Sequence, residues 1–142
     1  MDKNFAQKFL KAQEKMYPQA LKEIKNGKKE SHWMWYIFPQ LRALGVSPTA
    51  IKYGIEDLEE AKAYLEHPVL SQRLVEICEA LLELDQYDPE KIFDDVDALK
   101  LCSCMTLFAQ LSEWDSVFHE VLEQYYDCVQ DEKTLKLLGI EQ

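Results

Sequence analysis

Apolar residues recur about every three to four positions along most of the chain, the spacing that places them on one side of an α-helix. Proline, glycine and helix-capping residues interrupt this pattern at short intervals. The pattern predicts an all-α fold in which about seven to nine helices form a compact bundle or orthogonal array. Because no linker or internal repeat is present, residues 1–142 are predicted to form a single helical domain.

The amino-terminal region is predicted to contain two helices. The first covers about 4–16, with Phe5 and Phe9 on its apolar side. Proline is favoured in the first turn of a helix and disfavoured in its interior, so Pro18 is expected to open a second helix that ends at Gly27.

The segment 32–42 is predicted to be a helix that Ser31 caps and that bends or breaks at Pro39. Proline also biases the residue before it, Phe38, away from helical geometry. A buried strand over 33–38 is the alternative.

Capping residues set most of the remaining boundaries. Ser47 before Pro48 is an N-cap with proline in the first turn, and Asp57 followed by Glu60 resembles a capping box. The helix after residue 111 is expected to start between Ser112 and Asp115. The predicted helices cover about 48–54, 57–65, 68–83, 115–125 and 131–139, with a brief turn over 88–93.

A helix over about 96–111, capped by Asp95, has almost no polar face. Helices that are apolar on every side are normally central and buried. The apolar positions in question are Leu99, Leu101, Cys102, Cys104, Met105, Leu107, Phe108 and Leu111.

Composition is ordinary for a folded domain, with 47% apolar and 30% charged residues. No apolar run approaches the roughly 18 residues of a membrane span, and residues 1–4 lead into an amphipathic segment rather than a secretory leader. We therefore expect a cytoplasmic protein with no membrane partner. Its cysteines lie in apolar helical runs and are expected to be buried free thiols: Cys78, Cys102, Cys104 and Cys128.

The net charge of −10 is unevenly distributed: residues 1–30 hold eight lysines and four acids, and the rest of the chain is strongly acidic. An acidic body repels phosphate backbones, so a nucleic-acid partner is disfavoured. The lysines at 22, 25, 28 and 29 either form a solvated face or bind an anionic partner. A protein is one possible partner.

The segment 31–42 is the first candidate for a ligand site. Trp33 and Trp35 lie close to His32, Gln40 and Arg42, and aromatic rings beside such polar groups suit a flat ligand such as a nucleobase. Aromatic residues at helical spacing are also typical of core packing, so that interpretation stays open.

Lys100 is the second candidate, because an unpaired buried ammonium is costly. Ser103 and Thr106 follow it on the same apolar helix, so an ammonium and two hydroxyls could converge on one pocket wall. Pairing with Asp97, one turn earlier, is the simpler alternative.

No established catalytic motif is present: the chain lacks a Gly-x-Ser-x-Gly elbow, a glycine-rich phosphate loop and a dinucleotide-binding motif. His119 and Glu123 are four residues apart, but two ligands do not make a metal site, so no metal is predicted. If the protein is an enzyme, His32 is the best general acid or base and Lys100 an electrostatic stabiliser.

Four strings resemble the family known as domain of unknown function 1810: 31–42 (SHWMWYIFPQLR), 53–55 (YGI), 60–70 (EAKAYLEHPVL) and 100–108 (KLCSCMTLF). The resemblance implies a compact all-helical domain, found mainly in bacteria, with no established activity. The chain departs from the family pattern at Ser71, Cys102 and Cys104. The polar positions that match it within apolar strings are His32, Gln40, Arg42, Arg73, Lys100, Ser103 and Thr106.

Together these observations lead to one hypothesis: a small anionic or nucleotide-like ligand binds between segment 31–42 and the 96–111 helix. In that hypothesis Trp33 or Trp35 stacks on the ligand, His32 and Gln40 orient it, and Arg42 or Lys100 neutralises its charge. The alternative is a non-catalytic protein-interaction or structural module without a pocket.

Overall fold

The computed structural model describes residues 3–140, and this part of the chain is all-α, as predicted. Apart from one isolated parallel bridge between Leu41 and Ile55, it contains no β-structure. Short 3-10 turns lie at Arg42–Leu44 and Pro89–Lys91. The helices are α1 (Lys3–Lys25), α2 (Met34–Ile37), α3 (Pro48–Tyr53), α4 (Leu58–Glu66), α5 (Pro68–Glu83), α6 (Asp95–Ala109), α7 (Val117–Tyr126) and α8 (Glu132–Leu137).

Helix α1 is continuous through Pro18, so the prediction of two separate helices was wrong. An interior proline costs about 3 kcal/mol. The helix nevertheless buries Phe9, Tyr17, Ala20 and Ile24 along one side, where it packs against α5, and burial of such side chains offsets that cost. The predicted end at Gly27 is confirmed: its φ is +79° and its amide donates to Ile24.

The predicted helix over 32–42 is only the four-residue α2, and Ser31 does not cap it. The break before Pro39 is confirmed, because Phe38 leaves helical geometry with φ −120° and ψ 76°. The chain then runs beside the segment before α4, where the Arg42 amide donates to the Ile55 carbonyl at 2.9 Å.

Local capping chemistry sets the later helix starts. Ser47 and Asp57 cap α3 and α4 as predicted, by accepting from the amides of Ala50 and Glu60. The cap of α6 is Asp94 rather than Asp95. The cap of α7 is Ser116, just after the predicted interval.

Helix α6 lies at the centre of the core, as predicted, and packs against α4, α7 and α8. Leu101, Cys104, Met105 and Phe108 are fully buried. Leu99 was wrongly placed in the core: it is 68% exposed, because the first turns of α6 leave one side open to solvent.

Three of the four cysteines are buried free thiols, as predicted, but Cys128 is exposed. It lies beyond the end of α7, where Asp127 and Cys128 both have positive φ and the chain turns at the surface. Within residues 3–140 no helix is long and apolar enough to cross a membrane.

Candidate functional site

A cleft of about 330 Å³ lies between the segment around α2 and the first turns of α6. The two stretches that the sequence singled out therefore face each other across open space. The start of α3 closes a third side. The cleft is lined by Lys29, His32, Trp33, Met34, Trp35, Tyr36, Ser47, Thr49, Tyr53, Asp97 and Lys100.

Two ammonium groups share one carboxylate in this cleft. Lys29 Nζ lies 2.9 Å from Asp97 Oδ2, and Lys100 Nζ lies 3.3 Å from Asp97 Oδ1. The side chain of Lys29 is 9% exposed and that of Lys100 is 29% exposed. Lys100 is thus paired with Asp97, as the simpler alternative predicted, while its side chain stays partly exposed to solvent.

Each ammonium also lies over a tryptophan ring. Lys29 Nζ is 5.1 Å from the ring centroid of Trp33, and Lys100 Nζ is 5.9 Å from that of Trp35. Such cation–π contacts hold the charges against the cleft wall.

The two tryptophan rings offer little surface for stacking, because Trp33 is 1% exposed and Trp35 is 7% exposed. The half-buried rings of Tyr36 and Tyr53 are more accessible, and their centroids are 5.1 Å apart. A flat ligand would therefore meet the tyrosines before the tryptophans.

A buried carboxylate, Glu23 of α1, fixes the loop that carries Lys29 and Trp33. It accepts hydrogen bonds from the Ser31 hydroxyl (2.6 Å), the amides of Glu30 and Ser31, Gln19 Nε2 and the indole Nε1 of Trp33. Burial alone would raise the pKa of Glu23, but hydrogen bonds to its charged form outweigh burial and hold the pKa well below its usual range.

Sequence reasoning missed Glu23 and Lys29 as parts of the site. A signal for Glu23 was available, since it falls beside Ala20 and Ile24 on the apolar side of α1, where an acid is out of place. Lys29 was singled out only as one of four clustered lysines that either form a solvated face or meet an anionic partner, and the sequence did not place it in this cleft. Its position depends on the bond from its amide to the Ile92 carbonyl, 2.7 Å long, between segments far apart in sequence.

His32 is exposed and lines the cleft, and its carbonyl accepts from the Tyr36 hydroxyl at 3.1 Å. Gln40 and Arg42 do not line the cleft. Gln40 is buried and its Nε2 has no partner among the described residues, whereas Arg42 pairs with Glu56 at the surface.

Arg73, Ser103 and Thr106 also lie outside the cleft. The Arg73 guanidinium lies over the Tyr17 ring and donates to Gln13 at 3.4 Å. The Ser103 hydroxyl donates to Leu99 O, and Thr106 Oγ1 accepts from the Asp131 amide. The Arg73 bond joins α5 to α1 and the Thr106 bond joins α6 to the start of α8, whereas the Ser103 bond lies within α6. None of the three side chains lines the cleft.

No group of three His, Cys, Asp or Glu side chains in residues 3–140 is placed to hold a metal ion. His119 Nδ1 lies 2.9 Å from the Ser116 hydroxyl, at the start of α7.

Comparison with known proteins gives one family and one solved structure. The family model described as "Protein of unknown function (DUF1810)" matches residues 3–138. The crystal structure of the conserved hypothetical protein Rv1873 from Mycobacterium tuberculosis is similar, with a TM-score of 0.93 and 42% sequence identity. The match covers 99% of this chain and 100% of that one.

No curated protein gave a significant match. The family match extends over nearly the whole chain and agrees with the four strings noted in the sequence. This chain belongs to the DUF1810 family of proteins of unknown function.

Proposed function

We propose that this protein binds a small anionic, nucleotide-like ligand in the cleft between α2 and α6. The observation that carries the proposal is the charge of the cleft: two ammonium groups face a single carboxylate, in a protein whose net charge is −10. Local positive charge in an otherwise acidic protein attracts anions and excludes cations. A volume of about 330 Å³ lies in the range of small-molecule sites.

The two lysines have different roles in this proposal. Lys29 is almost buried between Asp97 and the Trp33 ring, so it stays in place and supplies a fixed positive potential. Lys100 is more exposed and only 3.3 Å from Asp97, so an incoming anion can compete for its ammonium. A charge-assisted hydrogen bond from Lys100 to the anion then anchors the ligand.

The remaining groups provide shape and hydrogen bonds. The Tyr36 and Tyr53 rings supply a flat apolar wall, and the hydroxyls of Ser47 and Thr49, at the start of α3, are hydrogen-bond donors to the ligand. His32 at the exposed edge orients the ligand, and it would be the general acid or base if a reaction occurs there.

The test is calorimetric titration of the protein with AMP, UMP and pyrophosphate, supported by thermal-shift measurements. Lys100→Ala should weaken binding by about tenfold or more, because it removes the anchoring cation. Lys133→Ala is the matched control, since Lys133 is exposed, lies on α8 and does not line the cleft. Absence of binding by all three anions, or equal binding by Lys100→Ala, contradicts the proposal.

A protein-interaction module is the second candidate. It is favoured by Trp114, which is 82% exposed, and by the polar groups of Arg73, Ser103 and Thr106, which all engage other parts of the chain. Exposed tryptophan is enriched at protein interfaces. A partner that co-purifies with the wild type and is lost in Trp114→Ala supports this candidate.

A further inference from the structure

A second cleft, of about 280 Å³, adjoins the first. Lys29, His32 and Asp97 line both clefts, so the two meet at the Lys29–Asp97 ion pair. The other side chains of the second cleft come from the loop after α1 and from the segment before α6. They are Lys28, Glu30, Glu90, Lys91, Ile92, Phe93 and Asp94.

The two clefts differ in charge and in aromatic content. Tyrosine and tryptophan side chains line the first, where ammonium groups outnumber carboxylates. The second cleft holds three lysines but four carboxylates, counting the shared pair, and among its lining residues Phe93 is the one Phe, Tyr or Trp. A second anionic group would therefore meet a net repulsive field there.

Four of the seven charged groups of the second cleft are free to contact a ligand, whereas Asp94 caps α6 by accepting from the Asp97 amide. Among the described residues, Lys29 and Asp97 are its members that take part in ion pairs. Lys28, Glu30, Glu90 and Lys91 are exposed and spaced around the cleft without pairing. Carboxylates and ammonium groups that are not paired with each other suit a ligand with several hydroxyl groups, because a hydroxyl can donate to a carboxylate and accept from an ammonium.

The walls of this cleft are also tied together. The Lys29 amide donates to the Ile92 carbonyl at 2.7 Å, which joins the loop after α1 to the segment before α6. Glu23 holds the same loop from the other side through the amides of Glu30 and Ser31. A preformed cleft loses less conformational entropy when a ligand binds.

We propose that the second cleft binds a polyhydroxylated group, so that the ligand is an aromatic anion joined to a sugar. This inference rests on the proposed function, since the anion is held by Lys100 in the first cleft. The sugar then extends past His32 and over the Lys29–Asp97 pair, with Glu90 and Lys91 in reach of its hydroxyls.

The experiment compares UDP with UDP-glucose by calorimetric titration, since UDP-glucose carries a hexose on the terminal phosphate of UDP, which also removes one negative charge. For the wild type, UDP-glucose should bind about tenfold more tightly than UDP, the gain of one or two good hydrogen bonds. In Glu90→Gln and in Lys91→Ala this ratio should fall towards one. In Lys133→Ala, on α8, it should keep its wild-type value.

The outcomes separate the two proposals. Suppose that UDP binds, that Lys100→Ala weakens this binding, and that UDP-glucose binds no more tightly than UDP. The sugar subsite is then wrong and the anion site stands. The same conclusion follows if Glu90→Gln and Lys91→Ala both keep the wild-type affinity ratio of UDP-glucose to UDP. If neither UDP nor UDP-glucose binds, and AMP, UMP and pyrophosphate fail as well, both proposals are overturned.

Discussion

The carboxylate of Glu23 accepts a hydrogen bond of 2.9 Å from the indole Nε1 of Trp33, and both side chains are buried. This bond joins α1 to the segment that lines the cleft. It gives the indole N–H a protein partner, so that Trp33 serves as a fixed support under the Lys29 ammonium. The position of Lys29 thus depends on a group that does not itself line the cleft.

Removal of Glu23 should destabilise the fold strongly. Glu23→Ala leaves the buried Trp33 indole and two partly buried backbone amides without their acceptor, and an unmet buried donor costs about 1–3 kcal/mol. We expect the free energy of unfolding to fall by about 3 kcal/mol or more, measured by urea denaturation. Glu30→Ala, in the same loop but exposed, is the control and should change it by less than about 0.5 kcal/mol. If Glu23→Ala lowers the free energy of unfolding by no more than Glu30→Ala does, the stabilising role assigned to Glu23 is wrong.

Glu23 should also make stability depend on acid pH. Its pKa in the folded protein lies below the value of about 4.3 expected in the unfolded chain, so the folded state binds fewer protons. Its contribution is complete above that unfolded value and is lost as the pH falls towards the folded pKa. The wild type should therefore lose more stability than Glu23→Gln between about pH 5 and pH 2. Parallel curves of unfolding free energy against pH for the two proteins would contradict this.

The two lysines bound to Asp97 should differ in their effect on stability. Asp97→Asn leaves the nearly buried Lys29 ammonium without its counter-ion and should cost about 3 kcal/mol. Lys100→Ala should cost less than about 1 kcal/mol, since its pair is partly exposed to water. Because Lys29→Met removes the unpaired charge, the double variant Lys29→Met/Asp97→Asn should recover part of the loss. Denaturant titration of the wild type, Lys29→Met, Asp97→Asn and the double variant gives the coupling free energy between Lys29 and Asp97. A coupling near zero would contradict a buried ion pair.

Thiol accessibility should distinguish the cysteines. Cys128 is exposed and should react with a disulfide reagent at neutral pH in the native protein. Burial, assisted by the nearby carboxylate of Asp131, raises the pKa of Cys102 to about 11, and burial also raises the pKa of Cys78 and Cys104. These three thiols should react once the protein unfolds. The reaction of the native protein should therefore show one fast phase, from Cys128, and this phase should vanish in Cys128→Ser. A fast phase that persists in Cys128→Ser would mean that a second thiol lies at the surface.

The sequence alone determined the features that depend on residues close together in the chain, such as helix starts and helix ends. Ser47 and Asp57 cap helices because their side chains reach amides three residues ahead, and Pro39 stops α2 because its ring restricts Phe38. The near absence of a polar face in the 96–111 segment likewise predicted the central helix α6. The pairing of Lys100 with Asp97 could also be predicted from the sequence, since the two residues are one helical turn apart.

Tertiary structure decided the features that depend on contacts between distant segments, such as the length of α1 and which side chains reach the cleft. Pro18 does not end α1, because α1 packs along its whole apolar side against other helices. Thr106 shares a sequence motif with Lys100, but it bonds to Asp131, and Arg73 bonds to Gln13, so neither faces the cleft. Lys29 lines the cleft because its amide bonds to the distant Ile92 carbonyl, and Glu23 supports it because the folded loop brings Glu30, Ser31 and Trp33 back to α1. Spacing along the chain fixes which side of a helix a residue occupies, whereas only the packing of helices fixes what that side meets.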